Sequence, residues 1–234
     1  MAGIAQVVGG GSMVLAPLLA GTGGALAIAS RPPESVGVVD TEWGVEAQLA
    51  DLVAIADNQA LFALSGYCFY AAAVLAIPAL VAGWRLTVQR SPRWAWAGAV
   101  MGALGVVGQV THLGYWAQTL AAADFADQRA AAEFLVFLDG TPFVLAVFAP
   151  FLLGLLAPVV QAVGLRRAGV VPLWATLSIA AAVVLALAIG NQQWNNTAVT
   201  VLMAAGFAPA AAALVRRRPI DGAGIPRDRV TMTA

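Results

Sequence analysis

His112 is the single histidine of the sequence, and it lies within an apolar run. It stands about five residues from the end of that run, hence roughly 8 Å deep at about 1.5 Å of helix per residue. Gln109, His112 and Trp116 recur at i, i+3 and i+7, so they share one helix face, with Tyr115 on its edge. Asp57 and Asp139 each stand just before another apolar run, the first followed by Asn58, and Asn191, Gln192, Trp194 and Asn195 cluster between two more. A histidine that meets two carboxylates is equipped for general acid–base chemistry, with Asp57, Asp139 and His112 as its catalytic residues. The same types have plainer uses. His112 can bond to Gln109 or to a neighbouring helix, and an aspartate ahead of a helix caps its first turn. Both readings stay open on the sequence alone.

Several chemistries are excluded. All twelve basic residues are arginine, so no lysine amine exists to form a Schiff base. Cys68 is the single cysteine, which leaves no intrachain disulfide. One histidine without a cysteine pair or a second histidine is a poor ligand set, so neither a metal nor a cofactor is expected. No phosphate loop and no basic stretch interleaved with aromatics is present, so nucleic acid is not an expected partner.

The elements that must position these groups are set by composition. The chain is 61% hydrophobic and 10% charged, against about 45–50% and 25% in soluble domains. Membrane lipids are therefore its first expected partner. A spanning helix needs about 20 mostly apolar residues, and six runs qualify: 3–29, 60–83, 94–117, 141–164, 171–190 and 196–215. The sequence predicts an all-α, six-helix transmembrane domain over 1–218, followed by a disordered cytoplasmic tail over 219–234, where Pro219, Gly222, Gly224 and Pro226 break any helix. Gly98, Gly102, Gly105 and Gly108 recur along the third run, where small residues let neighbouring backbones approach. Ala27-Ile28-Ala29 before Ser30 looks like a signal-peptide cleavage site, but no basic region precedes the first run, so it is expected to stay as a helix.

Arginine asymmetry orients the bundle. With the amino terminus inside, ten of the twelve arginines become cytoplasmic, and only Arg31 and Arg129 fall outside. Ten of the twelve acids become external. The expected location is the cell membrane, with both termini cytoplasmic. Two external segments are expected to be helical. Over 42–57, Val45, Leu49, Leu52, Val53 and Ala56 form an apolar stripe with Glu46 and Asp51 off it; over 119–138, an alanine-rich stretch carries Phe125, Phe134 and Phe137. Trp84, Trp94 and Trp96 at one membrane face, and Trp43, Trp116 and Trp194 at the other, match interfacial aromatic belts.

Over residues 1–215 the layout resembles the alanine-rich, lysine-poor multi-pass membrane proteins common in high-GC actinobacteria. The small size and the acids at the external helix ends are also similar to those of integral-membrane terpene cyclases. That resemblance implies that Asp57 or Asp139 would protonate a polyprenyl substrate. From the residues themselves, the expectation is a polar pocket on the external side that binds a small or lipid-like hydrophobic molecule. Gln109, His112, Tyr115, Trp116, Asn58, Asn191, Gln192, Trp194 and Asn195 would be its contacts. An intramembrane enzyme and a structural subunit are the alternatives, and the oligomeric state is left open.

Overall fold

The computed structural model describes residues 3–31, 44–188 and 193–216, except for the side chains of 143–148, 193 and 194. Asn191, Gln192, Trp43, the side chain of Trp194 and the tail 219–234 therefore lie outside the described residues. Among those described, the chain is wholly helical: α1 (Ile4–Ala29), α2 (Val45–Asp57), α3 (Gln59–Thr87), α4 (Pro92–Ala123), α5 (Gln128–Asp139), α6 (Pro142–Arg167), α7 (Leu173–Ala188) and α8 (Gln193–Arg216).

Local chemistry sets several of the boundaries. Pro92 and Pro142 open α4 and α6 at positions where a missing N–H costs nothing. The Asp127 carboxylate caps α5 by accepting from the Ala130 N–H at 3.0 Å. At the end of α6, Gly169 takes φ +71, a conformation that excludes most side chains. Its N–H donates to the Arg166 carbonyl and that of Val170 to the Leu165 carbonyl, a complete Schellman motif. Arg90 then reaches from the α3–α4 connection to donate to the Ala168 carbonyl at 2.8 Å.

Five helical segments are long and apolar enough to cross a membrane: Ile4–Ala29, Gln59–Thr87, Pro92–Ala123, Ala149–Arg167 and Asn195–Arg216. Their large apolar side chains point outward as well as inward: Val107 is 59% exposed and Val201 58%. A continuous apolar exterior of this kind belongs in lipid, and the protein is a multi-pass membrane protein. α7 is equally apolar but has 16 described residues, about 24 Å of helix against a hydrocarbon core of about 30 Å.

The six longer helices form a closed ring in the order α1, α3, α4, α6, α7, α8 and back to α1. Every neighbouring pair is antiparallel. Gly9 meets Ala82 and Gly23 meets Cys68 across α1–α3; Gly10 meets Ala211 and Gly24 meets Asn196 across α1–α8; Gly98 meets Gln161 and Gly108 meets Phe151 across α4–α6. With little hydrophobic drive between helices in lipid, such seams depend on close packing of small residues. A Cβ added to Gly105 would lie 2.6 Å from the Gly154 Cα, so the two backbones touch there.

One end of the ring carries Arg85, Arg90, Arg93, Arg166, Arg167 and Arg216; the other carries α2 and α5 and most of the described acids. α2 and α5 pack on each other and on α4. The buried stripe of α2 differs from the sequence expectation. Leu52 and Ile55 are fully buried, whereas Val53 is exposed. Asp51, expected in water, is drawn inward by Arg31 at 3.8 Å. Val53 sits about 100° round the helix from Leu52, whereas Ile55 is about 60° away on the side facing α5 and α4.

Candidate functional site

Two distinct environments lie within the ring. At the acid-rich end, Trp116 is buried and stacks on Phe62 with ring centroids 4.5 Å apart, and Phe69 meets it edge-on at 5.4 Å. Its indole N–H donates to the Phe62 carbonyl at 3.2 Å. Trp116 is thus a core residue and not part of an interfacial belt. His112 faces inward, against Phe151 at 5.3 Å, Trp116 at 5.7 Å and Tyr115 at 6.4 Å. This aromatic layer joins α3, α4 and α6.

Charge is concentrated above the layer. Arg31, just past the end of α1, lies over the Trp116 ring at 5.7 Å and pairs with Asp51. The Tyr115 hydroxyl donates to Asp139 at 3.2 Å. Burial pushes the Asp139 carboxyl above the usual carboxylate range, and the Tyr115 hydrogen bond only partly opposes that shift. The Gln59 amide donates to Asp124, and Arg129 pairs with Glu46 at 2.7 Å across α5 and α2.

Below the layer, a cavity of about 270 Å³ runs between α1, α3, α4, α6 and α8. Gln109 lines it near its aromatic end, where Phe69 and Phe151 belong both to the layer and to the cavity wall. Ser12, Met13 and Gln161 line its other part. Gly83 makes room for the Gln161 amide, since a Cβ there would collide with it. Among the described residues, no Asp, Glu, Arg or His lines the space.

The residues singled out in the sequence are therefore divided between these environments. Gln109 is in the cavity wall. His112, Tyr115 and Trp116 form the aromatic layer, and Asp139 joins them through Tyr115. Asp57 is exposed at the last turn of α2, and the Asn58 amide donates to the Ala54 carbonyl at 3.0 Å. Asn195 is buried and donates to the Leu185 carbonyl at 3.2 Å, tying α8 to α7. The cavity is apolar, extends from mid-bundle towards the arginine-rich end, and is lined by neither aspartate, His112 nor Asn195.

Sequence reasoning missed Arg31, Gln161 and Ser12. For Gln161 a signal existed. An amide in a run otherwise apolar from Phe143 to Leu165 must find a partner or a cavity, since an unmatched polar group in hydrocarbon costs several kcal/mol. Arg31 gave none, because its partner Asp51 is brought to it by the return of α2 over the ring.

Architecture and interior together define a multi-pass helical membrane protein with a cavity inside its ring. Compared with protein-family models, with curated proteins and with solved structures, the chain matches none of them.

Proposed function

We propose that the protein crosses the cell membrane six times with both termini cytoplasmic, and that it holds a hydrophobic small molecule in the cavity between its helices. The observation that carries the reading is the cavity itself, walled by five helices with apolar side chains and a few uncharged polar groups. Binding sites are concave, mostly apolar and equipped with few polar groups, and this cavity fits that description. Its volume is slightly below the usual range of about 300–1,000 Å³, which suits one slender molecule. The sixth crossing is supported by α7, which runs antiparallel along α8 from Ala175 near Gly206 to Leu185 beside Asn195. Orientation rests on the arginines, gathered at the end away from α2 and α5.

The acid chemistry implied by the resemblance to terpene cyclases gains no support from this geometry, because no carboxylate among the described residues lines the cavity.

Two experiments test the reading. On a Cys68→Ala background, cysteines at Arg90 and Arg167 should react with an impermeant thiol reagent only from the cytoplasm, and one at Ser35 only from outside. Reaction of all three from the same side would remove the six-span arrangement. For the cavity, a photoreactive alkane should label the full-length protein in nanodiscs saturably at Met13 and Phe207, and Ala76→Phe, which fills the space, should abolish that labelling. Labelling confined to outward residues such as Val107 would overturn the binding role.

A further inference from the structure

The cavity carries more chemical information than its apolarity. Ser12 is 2% exposed and lines the cavity. Among the described residues, its hydroxyl and the Gln109 and Gln161 amides enter no hydrogen bond. Buried polar groups are almost always satisfied, so the buried Ser12 hydroxyl, with two half-buried amides on the same wall, marks a place where a ligand's polar atoms belong.

Two prolines add to this inventory. Pro17 and Pro158 both line the cavity within helices. Proline has no N–H, so the carbonyls four residues earlier lose their helical donors. Those carbonyls belong to Met13 and Gly154, which also line the cavity. Residues of the wall thus include two carbonyls whose helical donors proline removes, together with amides and a hydroxyl that can donate or accept.

Position and shape narrow the class further. Gln161 lies level with Gly98, since a Cβ on Gly98 would meet the Gln161 Cα at 3.4 Å. Gly98 and Gln109 are eleven residues apart on α4, so the two amides are separated by about 16 Å along the helix. A volume of about 270 Å³ over that length suits a single slender chain. Ser12, Met13 and Gln161 concentrate hydrogen-bonding capacity at the arginine-rich end, whereas Gln109 stands alone at the other. An ionised headgroup would find no counter-charge among the described residues of the wall, and an unpaired charge in such a site costs several kcal/mol.

We propose that the cavity binds an uncharged long-chain alcohol, of the fatty or prenyl type, with its hydroxyl seated between Ser12 and Gln161 and its chain running towards Gln109. This rests on the cavity being a binding site, as argued above. The hydroxyl donates to the Met13 carbonyl or the Gln161 amide oxygen and accepts from Ser12. The hydrocarbon lies along Leu80, Phe207 and Gly105.

The test compares three probes of one chain length on the full-length protein in nanodiscs: photoreactive tetradecanol, tetradecane and tetradecanoate, each with a mid-chain diazirine. Tetradecanol should label Val106 and Leu155, which line the middle of the cavity, saturably and at roughly tenfold lower concentration than either of the others. One or two hydrogen bonds of about 0.5–1.5 kcal/mol each give that ratio. Ser12→Ala combined with Gln161→Leu should remove the advantage of the alcohol over the alkane and leave alkane labelling unchanged. Equal labelling by alcohol and alkane, or stronger labelling by the carboxylate, would overturn the ligand class while leaving the cavity as a site. Absence of saturable labelling by all three would remove the binding reading itself. The comparison on the unmodified protein needs no variant to fold.

Discussion

The two ends of the ring are held together by different means. At the acid-rich end, polar and aromatic side chains from four helices interlock with Arg31, just past α1: Trp116 on Phe62, Arg31 on Trp116 and Asp51, Tyr115 on Asp139, and Arg129 on Glu46. Towards the arginine-rich end, contact is made by backbones meeting at Gly9, Gly10, Gly98 and Gly105. Water at the membrane face makes charged groups affordable in the first region. Within hydrocarbon, dispersion and close approach are the main available attractions. The cavity borders the aromatic layer and extends into the region built from small residues.

The largest expected effect breaks the first region. Trp116→Ala removes a stacked, buried aromatic and should cost about 3–5 kcal/mol, measured by unfolding in mixed micelles. A cost below about 1 kcal/mol would show that the aromatic layer is not what joins α3 to α4. Gly105→Leu attacks the second region by forcing α4 from α6. Overpacking should cost about 1–3 kcal/mol and also reduce cavity labelling. Equal losses for a leucine at Gly114, which has open space around it, would mean that the seam is not special.

A smaller effect separates charge from packing in the acid-rich region. Arg31→Met strands the half-buried Asp51 carboxylate and should cost about 1–2 kcal/mol. Adding Asp51→Leu should recover most of that, since an ion pair replaced at both ends by apolar groups is often neutral. Failure of the double variant to recover would assign the loss to the Trp116 contact instead.

The smallest effect depends on pH. Because burial raises the Asp139 pKa, the folded state holds that proton more readily than the unfolded chain does. Stability should therefore fall as pH rises from the ordinary carboxylate range through the raised value. Asp139→Asn, which still accepts from Tyr115, should match or exceed the parent's melting temperature at neutral pH. The difference should vanish in acid. A variant less stable than the parent at neutral pH would reverse the sign and show that the ionised carboxylate is favoured.

The sequence made the helices legible because each apolar run is bounded by arginine, proline or acid. Pro92 and Pro142 mark two starts, and the Arg166–Gly169 segment marks a stop. The face shared by Gln109, His112 and Trp116 was also readable from spacing, and all three do point into the bundle. What those groups meet was not readable. Whether His112 faces a carboxylate or Phe151 depends on the rotation of α4 against α6, which is set by the contact of Gly105 with Gly154. Val53 was misplaced because the stripe on so short a helix is decided by which neighbours arrive, here α4 and α5. Gln161 was overlooked because a lone amide near a helix end looks like an interface residue until Gly83 opposite it is known.

The closed ring bears on how the chain is made. α1 lies between α3 and α8, and the Asn196 amide donates to the Gly21 carbonyl at 2.7 Å across a separation of 175 residues. During synthesis α1 therefore enters the bilayer with one flank complete as soon as α3 follows, while its other flank waits for α8. Until then Gly10, Gly21 and Gly24 face lipid with nothing seated against them. An α8 from a neighbouring nascent chain is chemically identical and can fill that flank first, giving two rings linked by exchanged helices. The seam that completes the monomer is thus also the one where two growing chains could be joined.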